Sequence, residues 1–179
     1  QTYNTAVGYH AGLAVTTGHS NTLIGGLAGD ALTDGVENVA LGYNSLGADT
    51  RGSKSVALGK EALKVQNQTT SVSTYNVAVG FKAGVAVSTG VQNTFVGGQA
   101  GDGTDDGNNN TAVGYLALSA NAGDDNTAVG RSALLVCTGT DNTALGKDAG
   151  SSLTSGSNCL VLGHDAGITG SPGGNLTSG

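Results

Sequence analysis

Three histidines, two cysteines and a set of loop aspartates are the residues whose types could do chemistry. His10, His19 and His164 have no Cys or His near them in sequence. A catalytic or metal site needs several ligands converging on one point, so these three predict none. No Ser-His-Asp order and no Gly-rich phosphate loop stands between a strand and a helix. Cys137 and Cys159 lie 22 residues apart without partner ligands, and read as ordinary buried thiols. The aspartates of GGLAGD (25–30) and GGQAGDGTDDG (97–107), with Asp34, sit in turns. Calcium-binding GGxGxD repeats return every nine residues, and these do not. Asp30, Asp34, Asp102, Asp105 and Asp106 therefore read as solvated turn residues. The chemistry expected is none: no enzyme, no cofactor, no metal.

A column of rings is more suggestive. Tyr9, Tyr43, Phe81 and Tyr115 each follow a glycine in one recurring phrase. The residues between them at the same position are Gly26, Lys60 and Gly98, and the column ends in Arg131, Lys147 and His164. Rings on an outer face can stack against sugars, because they join apolar bulk to a polar handle. They can equally shield the glycine beside them.

The element that places those rings is a repeat. Asn-(Thr/Val)-small-aliphatic-Gly recurs with its glycine at Gly8, Gly25, Gly42, Gly59, Gly80, Gly97, Gly114, Gly130, Gly146 and Gly163, at intervals of 16–21 residues. A fixed short period marks a repeat architecture. One residue before the glycine the column is always aliphatic, and reads as core. Two before, it is mostly Ala; three before, it is Thr or Val, with Leu160 in the last copy. Successive strand residues face opposite ways, so this strand is apolar on both faces and is expected to be buried on both. Three residues after the glycine comes Ala, or Ser45 once; four after comes Gly or Leu. A second glycine near the far end of each loop, as at Gly18 and Gly35, suits a second reversal with positive φ.

The phrase opens on Asn4, Asn21, Asn38, Asn76, Asn93, Asn110, Asn126 and Asn142. Stacked amides can bond along the stack. A turn Asn can instead bond its own backbone. Ser55 and Cys159 replace Asn in two repeats.

A unit of 17 residues is too short for a β-α pair and has no helical spacing. It predicts one coil of an all-β parallel solenoid spanning 1–179, with two short strands and two turns per coil. At about 4.8 Å per coil, ten coils make a rod roughly 50 Å long. One thin coil leaves an apolar face that needs a partner, and self-association supplies it.

These repeats resemble the heads of trimeric autotransporter adhesins, whose copies read like SVALGKEAL (55–63). They resemble still more the NTAVGYxAL arrays of bacteriophage tail fibres, as in NTAVGYLAL (110–118). The resemblance implies a left-handed β-roll and three chains packed about a threefold axis. It implies a non-enzymatic fibre segment outside the cell, on a virion or bacterial surface, giving a rigid rod for attachment to a receptor or glycan.

The 32 Gly and single Pro, without a three-residue period, exclude collagen. The formal charge of -6 and the lack of a basic run give no footprint for nucleic acid. No 18-residue apolar stretch predicts insertion in a membrane. A 72-residue period is also visible: the phrase from Asn4 returns from Asn76. The chain therefore reads as a slice of a longer array, or as a subunit stacking end to end in an extracellular fibril. The Thr column (Thr5, Thr22, Thr94, Thr111, Thr127, Thr143) also suits an ice-binding solenoid, but Val39, Val56 and Val77 interrupt it. The sequons at Asn67, Asn109 and Asn175 are expected by chance in a chain this rich in Asn and Thr.

Overall fold

A computed structural model describes residues 3–167. The sequon at Asn175 lies outside them, as do the two residues at the start of the sequence. The described residues are all-β, with no helix. Ten three-residue strands form one parallel sheet: β1 (Thr5–Val7), β2 (Thr22–Ile24), β3 (Val39–Leu41), β5 (Val56–Leu58), β7 (Val77–Val79), β8 (Thr94–Val96), β9 (Thr111–Val113), β10 (Thr127–Val129), β11 (Thr143–Leu145) and β12 (Leu160–Leu162). Each pairs only with the strands of adjacent repeats, in strict register, Ala40 opposite Leu23 on one side and Ala57 on the other. The chain thus winds as a solenoid of about nine turns.

Two strands per coil were expected, and the structure has one. The second side is a stack of turns tied by main-chain bonds, Gly12 N–H to Ala28 O at 2.9 Å and Gly29 N–H to Ser45 O at 2.9 Å. A second strand forms only around the long repeat, where β4 (Gly52–Ser53) pairs with β6 (Val72–Ser73). The turns cannot flatten into strands because each holds residues at left-handed φ. In the eighth repeat these are Ser132 (φ 56°) and Leu134 (φ 51°), with Asp125 (φ 61°) just before its Asn.

The glycines do two jobs. At Gly25, φ is 129°, and a β-carbon would lie 2.6 Å from Gly42 O in the next turn. The second-column glycines were expected to need positive φ, and they do not have it. Gly18 is fixed by proximity instead: a β-carbon there would meet Gly35 O at 2.5 Å.

Which strand face lies inside also differs from expectation. The column before the glycine was read as core. It faces out, with Val7, Leu41 and Leu145 between 47% and 58% exposed. The core column is the middle one: Leu23, Ala40, Ala57, Ala78, Phe95, Ala112, Ala128 and Ala144 are fully buried. The opposite wall is the Ala column after the glycine, from Ala28 to Ala149, with Ser45 its one polar member.

Bulk in this narrow core is shared out between wall and turn. Where the strand supplies Leu23, Phe95 or Val161, the turn position of the same repeat is Gly29, Gly101 or Gly167. Where the strand supplies Ala40, Ala57, Ala112 or Ala128, the turn supplies buried Leu46, Leu63, Leu118 or Leu134. The large strand residue also overlies the preceding repeat: β-carbons at Gly12 and Gly29 would each sit 2.8 Å from Leu23. So an Ala/Gly repeat precedes each bulky one, two Ala/Leu repeats follow, and the pattern closes after four repeats. This is the physical content of the 72-residue period.

Candidate functional site

The Asn column lies inside the coil. Each carboxamide oxygen accepts the backbone N–H of the column residue in the next turn: Asn38 N–H to Asn21 at 2.9 Å, Asn110 N–H to Asn93 at 2.9 Å. Each amide donates across its own coil to a loop carbonyl, Asn21 to Gly35 O at 2.9 Å and Asn93 to Gly107 O at 2.8 Å. The same pair of bonds recurs at Asn38, with Ser55 N–H and Gly52 O, and at Asn76, with Asn93 N–H and Gly90 O. Asn110, Asn126 and Asn142 repeat it, the last accepting from Cys159 N–H at 3.0 Å. Asn4 opens the series. Two readings were open, amide stacking and local turn bonding. The geometry is a third: side chain to backbone, spanning both the stack and the coil. Amide-to-amide contacts are added at only three steps, from Asn21, Asn126 and Asn142.

A further core column was not read from the sequence. Seven residues after the glycine stand Val15, Leu32, Val87, Cys137 and Leu153, which face the core. Two adjacent repeats place Asp49 and Gln66 there, both fully buried. The Asp49 carboxylate accepts from Gln66 Nε2 at 2.5 Å, Gly52 N at 2.9 Å and Gln68 N at 3.2 Å. Gln66 goes on to Ser55 Oγ at 2.9 Å and accepts from Asn76 at 2.8 Å. It thereby fills the gap left where Ser55 replaces Asn. The signal was available in the column itself: Asp49 and Gln66 fall there in adjacent repeats, and buried polar groups seek partners. Thr104, buried in the same column, has none for its hydroxyl among the described residues.

Cys137 occupies this core column and Cys159 the Asn column; both are buried and free. Burial pushes the Cys137 thiol upward, against weaker opposing bonds from Gly139 and Asn142.

The turn aspartates do not converge. Asp34 meets Arg51 at 3.9 Å and Ser71, Asp102 meets Ser119, and Asp105 meets Ser88. Among the described residues one group of metal-type ligands does come together: Asp148, His164 and Asp165. The sequence did not reveal it, because one-repeat spacing hides neighbours. Cations already occupy it: Lys147 Nζ is 3.0 Å from His164 Nε2 and 3.2 Å from Asp148, and Arg131 is 2.8 Å from Asp148. His10 instead stacks on Tyr9, centroids 3.8 Å apart.

The ring column is exposed throughout: Tyr9 71%, Tyr43 51%, Phe81 49%, Tyr115 51%. Tyr43 lies against Gly26, where a β-carbon would be 3.6 Å from the ring, and Tyr115 lies against Gly98 at 3.5 Å. Lys60 stands between two rings, 5.9 Å from the centroids of Tyr43 and of Phe81. Lys82 is 5.4 Å from Phe81. The main-chain ladder continues beneath this edge, Gly25 N–H to Val7 O and Leu27 N–H to Tyr9 O, both 2.8 Å. The rings are therefore held at the fixed spacing of the turns.

Fold and column geometry together define a parallel β-solenoid of tandem repeats. Comparison with protein-family models, curated proteins and solved structures gave no match.

Proposed function

We propose that the chain is a non-enzymatic structural fibre segment: a rigid homotrimeric rod outside the cell, part of a bacteriophage tail fibre or bacterial surface adhesin. One observation carries this reading. The outer face of the ten-stranded sheet carries an aliphatic residue in every strand, and in a single chain it meets water. Its outward positions are Thr, Val, Ile and Leu, without one charge. A continuous apolar strip of this kind marks an interaction surface. Strand registry makes it straight and regular, so an identical strip on a sister chain is a complementary surface. Three-chain packing comes from the resemblance to adhesin heads and tail-fibre arrays.

Sedimentation equilibrium tests the reading, with trimer expected. Val113→Lys with Leu145→Lys in one chain puts charges on the strip and is expected to give folded monomer or aggregate. A wild-type chain that stays monomeric and soluble at micromolar concentration overturns the proposal.

A second reading is an extracellular filament built by end-to-end stacking. It is favoured by the unbroken register of the parallel ladder, which a further coil of the same pattern can extend. Filaments in negative stain whose length grows with concentration would distinguish it.

A further inference from the structure

The ring edge also carries most of the chain's positive charge, in a pattern that the four-repeat period repeats. Four of the seven Lys and Arg residues lie at the two positions after the repeat glycine: Lys60, Lys82, Arg131 and Lys147. They form two clusters. Lys60 and Lys82 share one carboxylate, Glu61, at 3.7 and 3.9 Å. Arg131 and Lys147 share one carboxylate, Asp148, at 2.8 and 3.2 Å. In the first cluster two cations face one anion; in the second, Asp165 and His164 join Asp148 beside Arg131 and Lys147, so the edge sets four Lys or Arg against three carboxylates in a chain whose total is -6. The clusters lie four repeats apart, about 19 Å at about 4.8 Å per turn. Each has an exposed tyrosine one repeat before it, Tyr43 and Tyr115.

We propose that this edge binds an acidic polysaccharide, sugar faces stacking on the tyrosine rings and carboxylates meeting the paired cations. The inference deepens the attachment role given above and rests on that reading for its setting. The occupant follows from the pattern. A linear polymer with regularly placed anions matches charges fixed along a straight rod, whereas a neutral glycan would leave the cations unused. In a rod of net negative charge, cations gathered along one edge give a polyanion a place to dock. The existing cation–ring contacts are exposed, and such contacts are worth only about 0.5–1 kcal/mol, so they exchange readily for a ligand.

The test measures binding of the full chain to immobilised polygalacturonate, with neutral dextran as control, and records the melting temperature of each variant. Retention on polygalacturonate alone is expected, weakening as salt rises. Tyr43→Ala and Tyr115→Ala should each weaken it by roughly 2- to 10-fold, while Tyr43→Phe keeps it. Lys60→Ala with Lys82→Ala should lose most of it, and Glu61→Gln should tighten it. Arg51→Ala and Lys64→Ala, away from the edge, should change nothing. No retention, equal retention by dextran, or loss with the lysines but not with the tyrosines overturns the proposal. Sedimentation of the same samples reports separately on the trimer.

Discussion

The ring of Phe95 stands where a side chain at Gly101 would have to go: a β-carbon there would lie 2.6 Å from three ring carbons. Bulk at one position excludes bulk at the other. Gly101 also has φ at 62°, so Gly101→Ala adds backbone strain to overpacking and should cost about 1–3 kcal/mol. Phe95→Ala leaves a cavity spanning two turns and should cost about 3–5 kcal/mol. Urea denaturation of both variants checks the pair; equal stability to wild type would contradict the shared-space account.

Asn93 makes two buried bonds that no other group can replace. Asn93→Ala strands the Asn110 N–H and the Gly107 carbonyl, each costing about 1–3 kcal/mol when buried without a partner. Hydrogen exchange should show lost protection at the Asn110 amide first. A surface Asn with ordinary φ, such as Asn67, should tolerate the same change within about 0.5 kcal/mol.

Much of this was legible beforehand, and the reason is periodicity. The repeat length, the aliphatic columns and the invariant small residues gave away a parallel solenoid. Which strand face is inside was not legible, because both faces of Thr-Ala-Val are apolar enough to be buried. Alanine proved to be core because the coil is too narrow for anything larger without a glycine opposite. The left-handed residues were hidden too. Leu27, Glu61, Lys82 and Gln99 carry no mark of their φ near 56–60°. Hydrogen bonds from their N–H groups to carbonyls of the preceding turn hold it, as from Leu27 to Tyr9 and from Glu61 to Tyr43. The charge clusters were invisible as contacts because their members lie about a repeat apart, although the basic column itself could be read.

That hidden strain gives a way to strengthen the rod. Leu116 is held at φ 56° with its side chain only half buried. Left-handed backbone costs an ordinary residue about 1–2 kcal/mol, and Asn tolerates it far better. Leu116→Asn should raise stability by about 0.5–1 kcal/mol, seen as a higher melting temperature.

Asp148 gives the stability a dependence on acid. Its partial burial disfavours the charge, but bonds from Lys147 and Arg131 outweigh this and hold its carboxyl below the usual value. A carboxylate lowered in the folded state stabilises above its unfolded value and loses that contribution as pH falls through its folded value. The contribution is small, because both cations are half exposed. Asp148→Asn should flatten the acid limb of a melting-temperature profile and leave neutral pH behaviour nearly intact.

The alternation of bulk between wall and turn fixes how such a molecule can change length. Gly84 lies between Leu63 and Phe95, its would-be β-carbon 3.0 Å from one and 2.9 Å from the other. Excising that single repeat would drive the leucine against the phenylalanine. Removing or duplicating four repeats at once restores the match of bulk between wall and turn. Growth by whole blocks leaves the interior undisturbed, and each block carries its own tyrosine and cation pair outward, so reach and the number of contact points rise together.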